Sequence, residues 1–272
     1  MEPAADEIAI ESPAHFRLYK SGRIERLNRP PVLPAGLDEA TGVTSKDVVL
    51  DPETGLSCAP SKKLPVLVFF HGGGFMLESA GSATYHTYVN PLAAAAGVLV
   101  VSVCYRLAPE HPLPAAYEDS WAALQWAASA RDEWIAEHGD VARLFLAGAN
   151  IVHDMLLRAS GNGGPSIEGA IMLHPWFGGS TLIEGESEVA AAITAGLWVY
   201  ACPDAVGGVD DPRMNVTRWR PARRRWRSSG RGRERVAWHE SDGEEHVLFL
   251  PKPECENARQ LMDRVVAFIA GA

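Results

Sequence analysis

The chain has 272 residues, of which 47% are hydrophobic and 22% charged, and its formal net charge is -9. This is the composition of an ordinary globular protein, and the length suits a single α/β domain spanning residues 1–272. The acidic balance argues against nucleic-acid binding. No stretch approaches the roughly 20 apolar residues that a membrane span needs.

The cysteines predict neither a metal site nor a disulfide framework. They lie far apart and follow no zinc-ligand spacing. We therefore expect no metal, no cofactor and reduced thiols, as in a protein of the cytoplasm or also of the nucleus. The first residues are acidic and have no apolar run, which argues against a secretory signal. The four cysteines are Cys58, Cys104, Cys202 and Cys255.

The first 40 residues are polar and interrupted by proline, and we interpret them as an N-terminal cap segment. Alternating apolar residues around Ser21-Gly22 predict a small hairpin. Val43–Leu50 is predicted as a strand. The connection that follows, Leu56–Lys63, is too short to supply the partner strand we would expect beside it.

Pro65–Phe75 is the most informative stretch. Val66–Phe70 is an unbroken apolar run, typical of a strand buried on both faces of a parallel sheet. Three glycines follow His71. Glycine lets the chain turn sharply and brings bare backbone N–H groups against a ligand. The run therefore predicts an oxyanion-binding loop, with a glycine-rich turn without chemistry as the alternative.

Further along, strands and helices alternate, which predicts a doubly wound, mostly parallel sheet. The predicted strands are Val98–Val103, Leu144–Gly148 and Ile167–Leu173. The predicted helices are Thr84–Ala96, Ala115–His138, Ala149–Ser160, Ala190–Cys202 and Glu254–Ala270.

Residues 216–235 break this pattern. They contain nine of the 25 Lys and Arg residues and a single acid, Glu234. Because the segment has no apolar run, we predict that the sheet lacks a strand here. A patch of arginines can also bind phosphate or nucleic acid, and we keep that as an alternative.

Five stretches together resemble the plant carboxylesterases. This group belongs to the hormone-sensitive-lipase branch of the α/β-hydrolases, which also includes the gibberellin receptors. The likeness covers roughly residues 8–215 and 236–270. It implies an α/β-hydrolase fold and, as ligand, a small ester or a small apolar molecule. The stretches are His71–Phe75, Tyr105–Ala115, Leu144–Asp154, His174–Gly179 and His239–Phe249.

The resemblance implies roles for four residues. Gly72, Gly73 and Gly74 would form the oxyanion hole, and His246 would be the base of a Ser-His-Asp triad. His239 is the lesser candidate for the base. His71 is interpreted as shaping the oxyanion loop.

The chain departs from the family where the nucleophile is expected. Family members resemble Leu-Ala-Gly-Asp-Ser-Ala-Gly-Ala-Asn at this point, whereas the chain reads Leu146-Ala-Gly-Ala-Asn150. The nucleophile is expected between Gly148 and Ala149, where four residues are missing. Ser160 and Ser166 follow the predicted helix and do not replace it.

The triad acid is also not identified. The family position falls within the arginine-rich segment, which contains no aspartate. Asp210 and Asp211 belong to the preceding loop, so the role is not assigned to them.

Three hypotheses follow. The first is a carboxylesterase whose activity is impaired. The second is a pseudo-hydrolase that binds a small apolar ligand without turnover, and the third is an interaction protein that uses the arginine-rich segment. Trp176, Phe177 and the N-terminal cap are expected to line the ligand pocket.

Overall fold

The computed structural model describes residues 6–12, 15–27, 29–49, 63–161, 163–182, 187–216, 237–241, 243–244 and 246–271. The predicted strand loss near 216–235 and most of the 56–63 connection lie outside these residues. None of the described helices is both long and apolar enough to cross a bilayer.

The N-terminal segment forms two small antiparallel sheets. Their strands are β1 (Ile8–Ser12), β2 (Phe16–Tyr19), β3 (Ile24–Arg26), β4 (Leu37–Asp38) and β5 (Val43–Thr44). The first sheet has the order β1-β2-β3, and its β2–β3 turn is the hairpin predicted at Ser21-Gly22. The second sheet pairs β4 with β5.

The centre of the fold is a parallel sheet of four described strands, β6 (Leu64–Phe70), β7 (Leu99–Val103), β8 (Gly139–Gly148) and β9 (Gly169–Met172). Their order in the sheet is β7-β6-β8-β9. This confirms the predicted α/β fold with a parallel sheet. The helices are α1 (Ala83–Ala96), α2 (Ala115–Ser129), α3 (Glu133–His138), α4 (Asn150–Ala159), α5 (Glu188–Ala201) and α6 (Glu256–Ala270).

Alternate residues of β6 enter two separate cores, because successive side chains of a strand point to opposite faces. Val66, Val68 and Phe70 pack in a core that includes residues of α2 and α4. Leu67 and Phe69 pack in a second core with α1 and α6. Helices therefore cover both faces of the sheet, as in a doubly wound fold.

Three predicted elements were wrong in extent. Strand β8 begins at Gly139, five residues before the predicted start at Leu144, because Gly139 and Asp140 already pair with β6. Of the predicted strand Val43–Leu50, the structure describes residues 43–49, and among these only Val43–Thr44 is a strand, because its partner β4 has only two residues. Ala115–His138 is two helices rather than one. Ala130 adopts the left-handed conformation that ends α2, and the Asp132 side chain caps α3 by accepting from the N–H groups of Trp134 and Ile135.

Candidate functional site

A cavity of ≈ 70 Å³ lies where the carboxyl ends of the central strands meet. Ligands of open α/β sheets bind at this edge. A single water needs about 10–15 Å³, so there is room for several waters or a short acyl chain. The lining residues fall into four stretches, 69–75, 148–151, 173–176 and 246–249, together with Tyr85 and Tyr105.

The glycine loop lines this cavity, and two of its three glycine N–H groups have no hydrogen-bond partner among the described residues. The Gly72 N–H donates to the Tyr85 hydroxyl at 2.8 Å. Gly73 and Gly74 have φ angles of 104° and 60°, and within the described part of the chain no acceptor is recorded for their N–H groups. The geometry therefore leaves Gly73 and Gly74, rather than Gly72, free to bind an oxygen. The oxyanion role of all three stays a prediction.

His71 is a buried, neutral part of the loop's frame. Its Nδ1 lies 2.8 Å from the Gly72 carbonyl oxygen, and its ring stacks on Tyr105 at 4.1 Å between centroids. The Tyr105 hydroxyl donates to the His71 carbonyl oxygen at 2.6 Å. Burial lowers the pKa of His71 to about 4, so the imidazole carries no charge at neutral pH.

The junction between β8 and α4 is held tightly. Gly148 has a φ of 146°, and a Cβ there would lie 2.6 Å from the Phe70 carbonyl oxygen. Asn150 starts α4 and is buried. Its amide donates to the Trp176 carbonyl at 2.5 Å and accepts from the Trp176 N–H at 2.6 Å. The residues at this junction, Gly148, Ala149 and Asn150, carry no hydroxyl or thiol.

His246 lies at the wall of the cavity, with part of its ring exposed. Its ring meets that of His174 edge-on, with centroids 5.5 Å apart. Partial burial lowers the pKa of both imidazoles, and His246 lowers that of His174 further by repulsion. Among the described residues no carboxylate bonds to His246. His239 does not line the cavity; its Nε2 lies 3.4 Å from the Ser241 hydroxyl.

Asp210 and Asp211, to which no triad role was assigned, form bonds within their own loop and its neighbours. Asp211 pairs with Arg213, with oxygen–nitrogen distances of 2.8 Å, and this interaction lowers the pKa of the Asp211 carboxyl to about 2. Asp210 accepts from the backbone and hydroxyl of Ser180 and from Asn215. Neither carboxylate is directed at His246 by these contacts.

Of the residues expected to line the pocket, Trp176 does so, and its indole N–H donates to the Thr194 hydroxyl at 3.0 Å. Phe177 instead packs against His153, with ring centroids 5.5 Å apart. No described residue of the N-terminal cap is part of the lining.

Tyr85, Tyr105 and Asn150 contribute to the site and were not identified from the sequence. Tyr105 comes two residues after a predicted strand, at the carboxyl edge of the sheet where ligands bind. This position could have identified it as a residue of the site. Within the described ranges no three His, Cys, Asp or Glu side chains are grouped so that they could hold a metal ion.

The comparisons with known proteins point to one family. The α/β-hydrolase fold family matches residues 67–220. Probable tuliposide A-converting enzyme b6 of Tulipa gesneriana is 44% identical over 228 aligned positions, covering 77% of this chain. The chain spans only 59% of that tulip protein. Probable carboxylesterase 13 of Arabidopsis thaliana is 35% identical over 324 aligned positions, covering 97% of this chain and 98% of its own.

Among solved structures, the hyperthermophilic esterase from the archaeon Pyrobaculum calidifontis matches with a TM-score of 0.59 and 24% identity. The match covers 81% of this chain and 77% of the esterase, and it shows a shared fold. The fold, the matched residues and the nearly full-length likeness to carboxylesterase 13 agree. The chain belongs to the α/β-hydrolase fold family and is a relative of the plant carboxylesterases.

Proposed function

We propose that this chain is a carboxylesterase-type protein whose ester hydrolysis is impaired because it lacks the nucleophile. The observation that carries the proposal is the junction of β8 and α4, which reads Gly148-Ala149-Asn150 at the edge of the cavity. A hydroxyl or thiol is expected there in an acyl-transfer enzyme of this fold.

Loss of the nucleophile should lower the rate of ester hydrolysis by several orders of magnitude. A serine hydrolase without its nucleophile keeps only the catalysis that binding and the oxyanion hole supply, about 10³–10⁴-fold over water. In this chain the oxyanion hole is weakened as well, since the residue after the nucleophile normally gives one of its N–H groups. The amides of Gly73 and Gly74 are what is left to stabilise a developing negative charge.

The lengths of the aligned chains support a loss of residues. The alignment with carboxylesterase 13 spans 324 positions, more than the 272 residues of this chain, so part of carboxylesterase 13 has no residue of this chain opposite it. A deletion at the junction of β8 and α4 would be one part of this shortfall.

A second candidate function is binding of a small apolar ligand without turnover. The cavity favours it, because Phe69, Phe75 and Trp176 give the cavity an aromatic lining while Gly73 and Gly74 supply hydrogen-bond donors. An apolar pocket with a few convergent polar groups is what small-molecule sites have in common.

The test is turnover of p-nitrophenyl acetate by three proteins: this chain, a version with Asp-Ser-Ala-Gly inserted between Gly148 and Ala149, and a control with Asp-Ala-Ala-Gly inserted instead. We expect activity only in the version that contains the serine. The control separates the nucleophile from the effect of a longer junction. Activity in the chain as it stands would disprove the proposal.

The base is tested in the serine-containing version. If His246 acts as base, H246Q should lower kcat by about 10³-fold or more, with little change in KM. If neither inserted version is active, the defect extends beyond the junction. Saturable binding of the ester by the unaltered chain would then favour the second candidate.

A further inference from the structure

One hydrogen bond joins the loop after β9 to the loop that carries His246. The Val247 N–H donates to Nδ1 of His174 at 3.1 Å, across 73 positions of sequence. The His174 ring also contacts His246 and Phe249, each with centroids 5.5 Å apart. All of these residues line the cavity, so the bond connects two of its walls.

Both partners of this bond have an unfavourable backbone conformation. The φ angles of His174 and Val247 are 45° and 54°, in the left-handed region. A β-branched residue such as valine rarely adopts this region, because its side chain crowds the neighbouring carbonyl. Such conformations persist only where the surrounding contacts hold them. The bond to His174 is a contact of this kind for Val247.

We propose that His174 is a positioning residue: its neutral imidazole accepts the Val247 N–H and thereby holds the adjacent His246 at the cavity wall. A ring nitrogen that accepts must carry no proton, so the proton sits on Nε2 of His174. The imidazolium has no acceptor, and protonation therefore breaks the bond. This inference concerns the wall of the cavity and stands whether or not the cavity receives an ester.

The groups around His174 oppose its protonation. Burial is the largest influence lowering its pKa, followed by repulsion from His246 and His239. Glu244, two positions before His246 in sequence, accepts a hydrogen bond from Asn257 at 3.1 Å and is not among the groups that shift the pKa of His174. Asp242 and Glu245 lie outside the described residues. The bond should accordingly persist to a pH below the ordinary histidine pKa of about 6.5 and be lost on further acidification.

The test is NMR of the isotope-labelled full chain between pH 8 and pH 4. The ring nitrogens of His174 report its tautomer, and hydrogen exchange of the Val247 amide, corrected for the intrinsic rate at each pH, reports the bond. We expect the Nε2–H tautomer near pH 7.5. On acidification the protection of the Val247 amide should fall about tenfold, with the same midpoint as the His174 ring.

Two substitutions distinguish positioning from simple packing. H174N keeps an acceptor oxygen at every pH and tolerates a positive φ, so the Val247 amide should stay protected throughout. H174G removes the acceptor without adding backbone strain. The amide should then be unprotected at every pH, and the pKa of His246 should rise toward its ordinary value. H239N, which leaves the bond intact, should move the midpoint and keep the tenfold change.

Two results would overturn the proposal. The first is a pH-dependent loss of protection that persists unchanged in H174N. The second is an H174G protein in which the Val247 amide and the His246 titration match those of the unsubstituted chain. The amides of β6 and β8 serve as the control for folding. If either variant unfolds as a whole, these amides lose protection together with the Val247 amide, whereas loss of the one bond leaves them protected.

Discussion

Gly73 and Gly74 both have positive φ angles, yet they differ in what a side chain would meet. A Cβ on Gly73 would lie 2.4 Å from the Leu77 carbonyl oxygen, whereas the nearest atom to one on Gly74 is a ring carbon of Trp176 at 3.8 Å. We expect G73A to lower the free energy of unfolding by about 2–4 kcal/mol, because strain and overlap combine. G74A should cost about 1 kcal/mol, the strain alone.

Urea unfolding of the two variants beside the unsubstituted chain measures this difference. The two glycines are neighbours in the sequence, and each substitution adds one methyl group, so the variants form a matched pair. Equal losses of stability would mean that the loop shifts freely to accommodate a side chain at Gly73. The close approach to Leu77 would then not determine its shape.

The sequence identified part of the site. The glycines and His246 could be found because strand, turn and histidine occur as local patterns, and they line one cavity. The bond from Gly72 to Tyr85 spans 13 positions, and that from Val247 to His174 spans 73. Contacts of this range depend on how the elements pack, and no local pattern of residues specifies them.

For the secondary-structure elements, prediction from the sequence is least accurate at the residues where a helix or strand begins or ends. The strand of residues 64–70 and the helix of residues 83–96 were found to within a few residues, because apolar runs and helical periodicity define them. The break at Ala130 could not be found in this way. Alanine favours helices, and only its left-handed conformation and the cap from Asp132 end one helix and begin the next.

Strand β3 is fastened to the glycine loop by Arg26. Its guanidinium donates to the Met76 carbonyl at 2.8 Å, to the Ala108 carbonyl at 3.2 Å and to both oxygens of Glu110 at 2.6 and 2.9 Å. The side chain is only 10% exposed. We expect R26Q to lower the free energy of unfolding by about 2–3 kcal/mol, because it leaves buried carbonyl groups without donors.

The control for this prediction is R17Q on the neighbouring strand. Arg17 and its partner Glu11 are each 40% exposed, and solvent screens an exposed pair of this kind, so R17Q should change the stability little. Both variants remove an arginine from the same small sheet and change the net charge equally. Comparable losses in urea unfolding would show that Arg26 acts through charge rather than through its bonds to the loop.

For the molecule as a whole, the parallel sheet with helices on both faces could be predicted because strand and helix alternate along the chain. The N-terminal sheets could be predicted only in part. Short antiparallel strands such as β4 and β5 depend on a partner elsewhere in the fold, and their own sequence carries little periodicity.

The stability of the whole molecule should fall in mild acid, mainly because of His71. Its pKa is lowered to about 4 by burial, whereas the unfolded chain takes up this proton near 6.5. The contribution is therefore complete above pH 6.5 and is lost as the pH falls toward 4. The difference corresponds to about 3 kcal/mol. The lowered pKa values of His153, His174 and His246 act in the same direction.

Urea unfolding at pH 7.5, 6.5, 5.5 and 4.5 tests this, with H71N as the matched variant. The amide of an asparagine can donate to the Gly72 carbonyl, as Nδ1 of His71 does, but it does not titrate. H71N should therefore lose about 2.5 kcal/mol less than the unsubstituted chain on acidification to pH 4.5, where most of the contribution of His71 is gone. Asp211, whose pKa is lowered to about 2, contributes only to the loss of stability below about pH 3.8 and does not interfere. Parallel curves for the two proteins would assign the acid sensitivity to the other histidines.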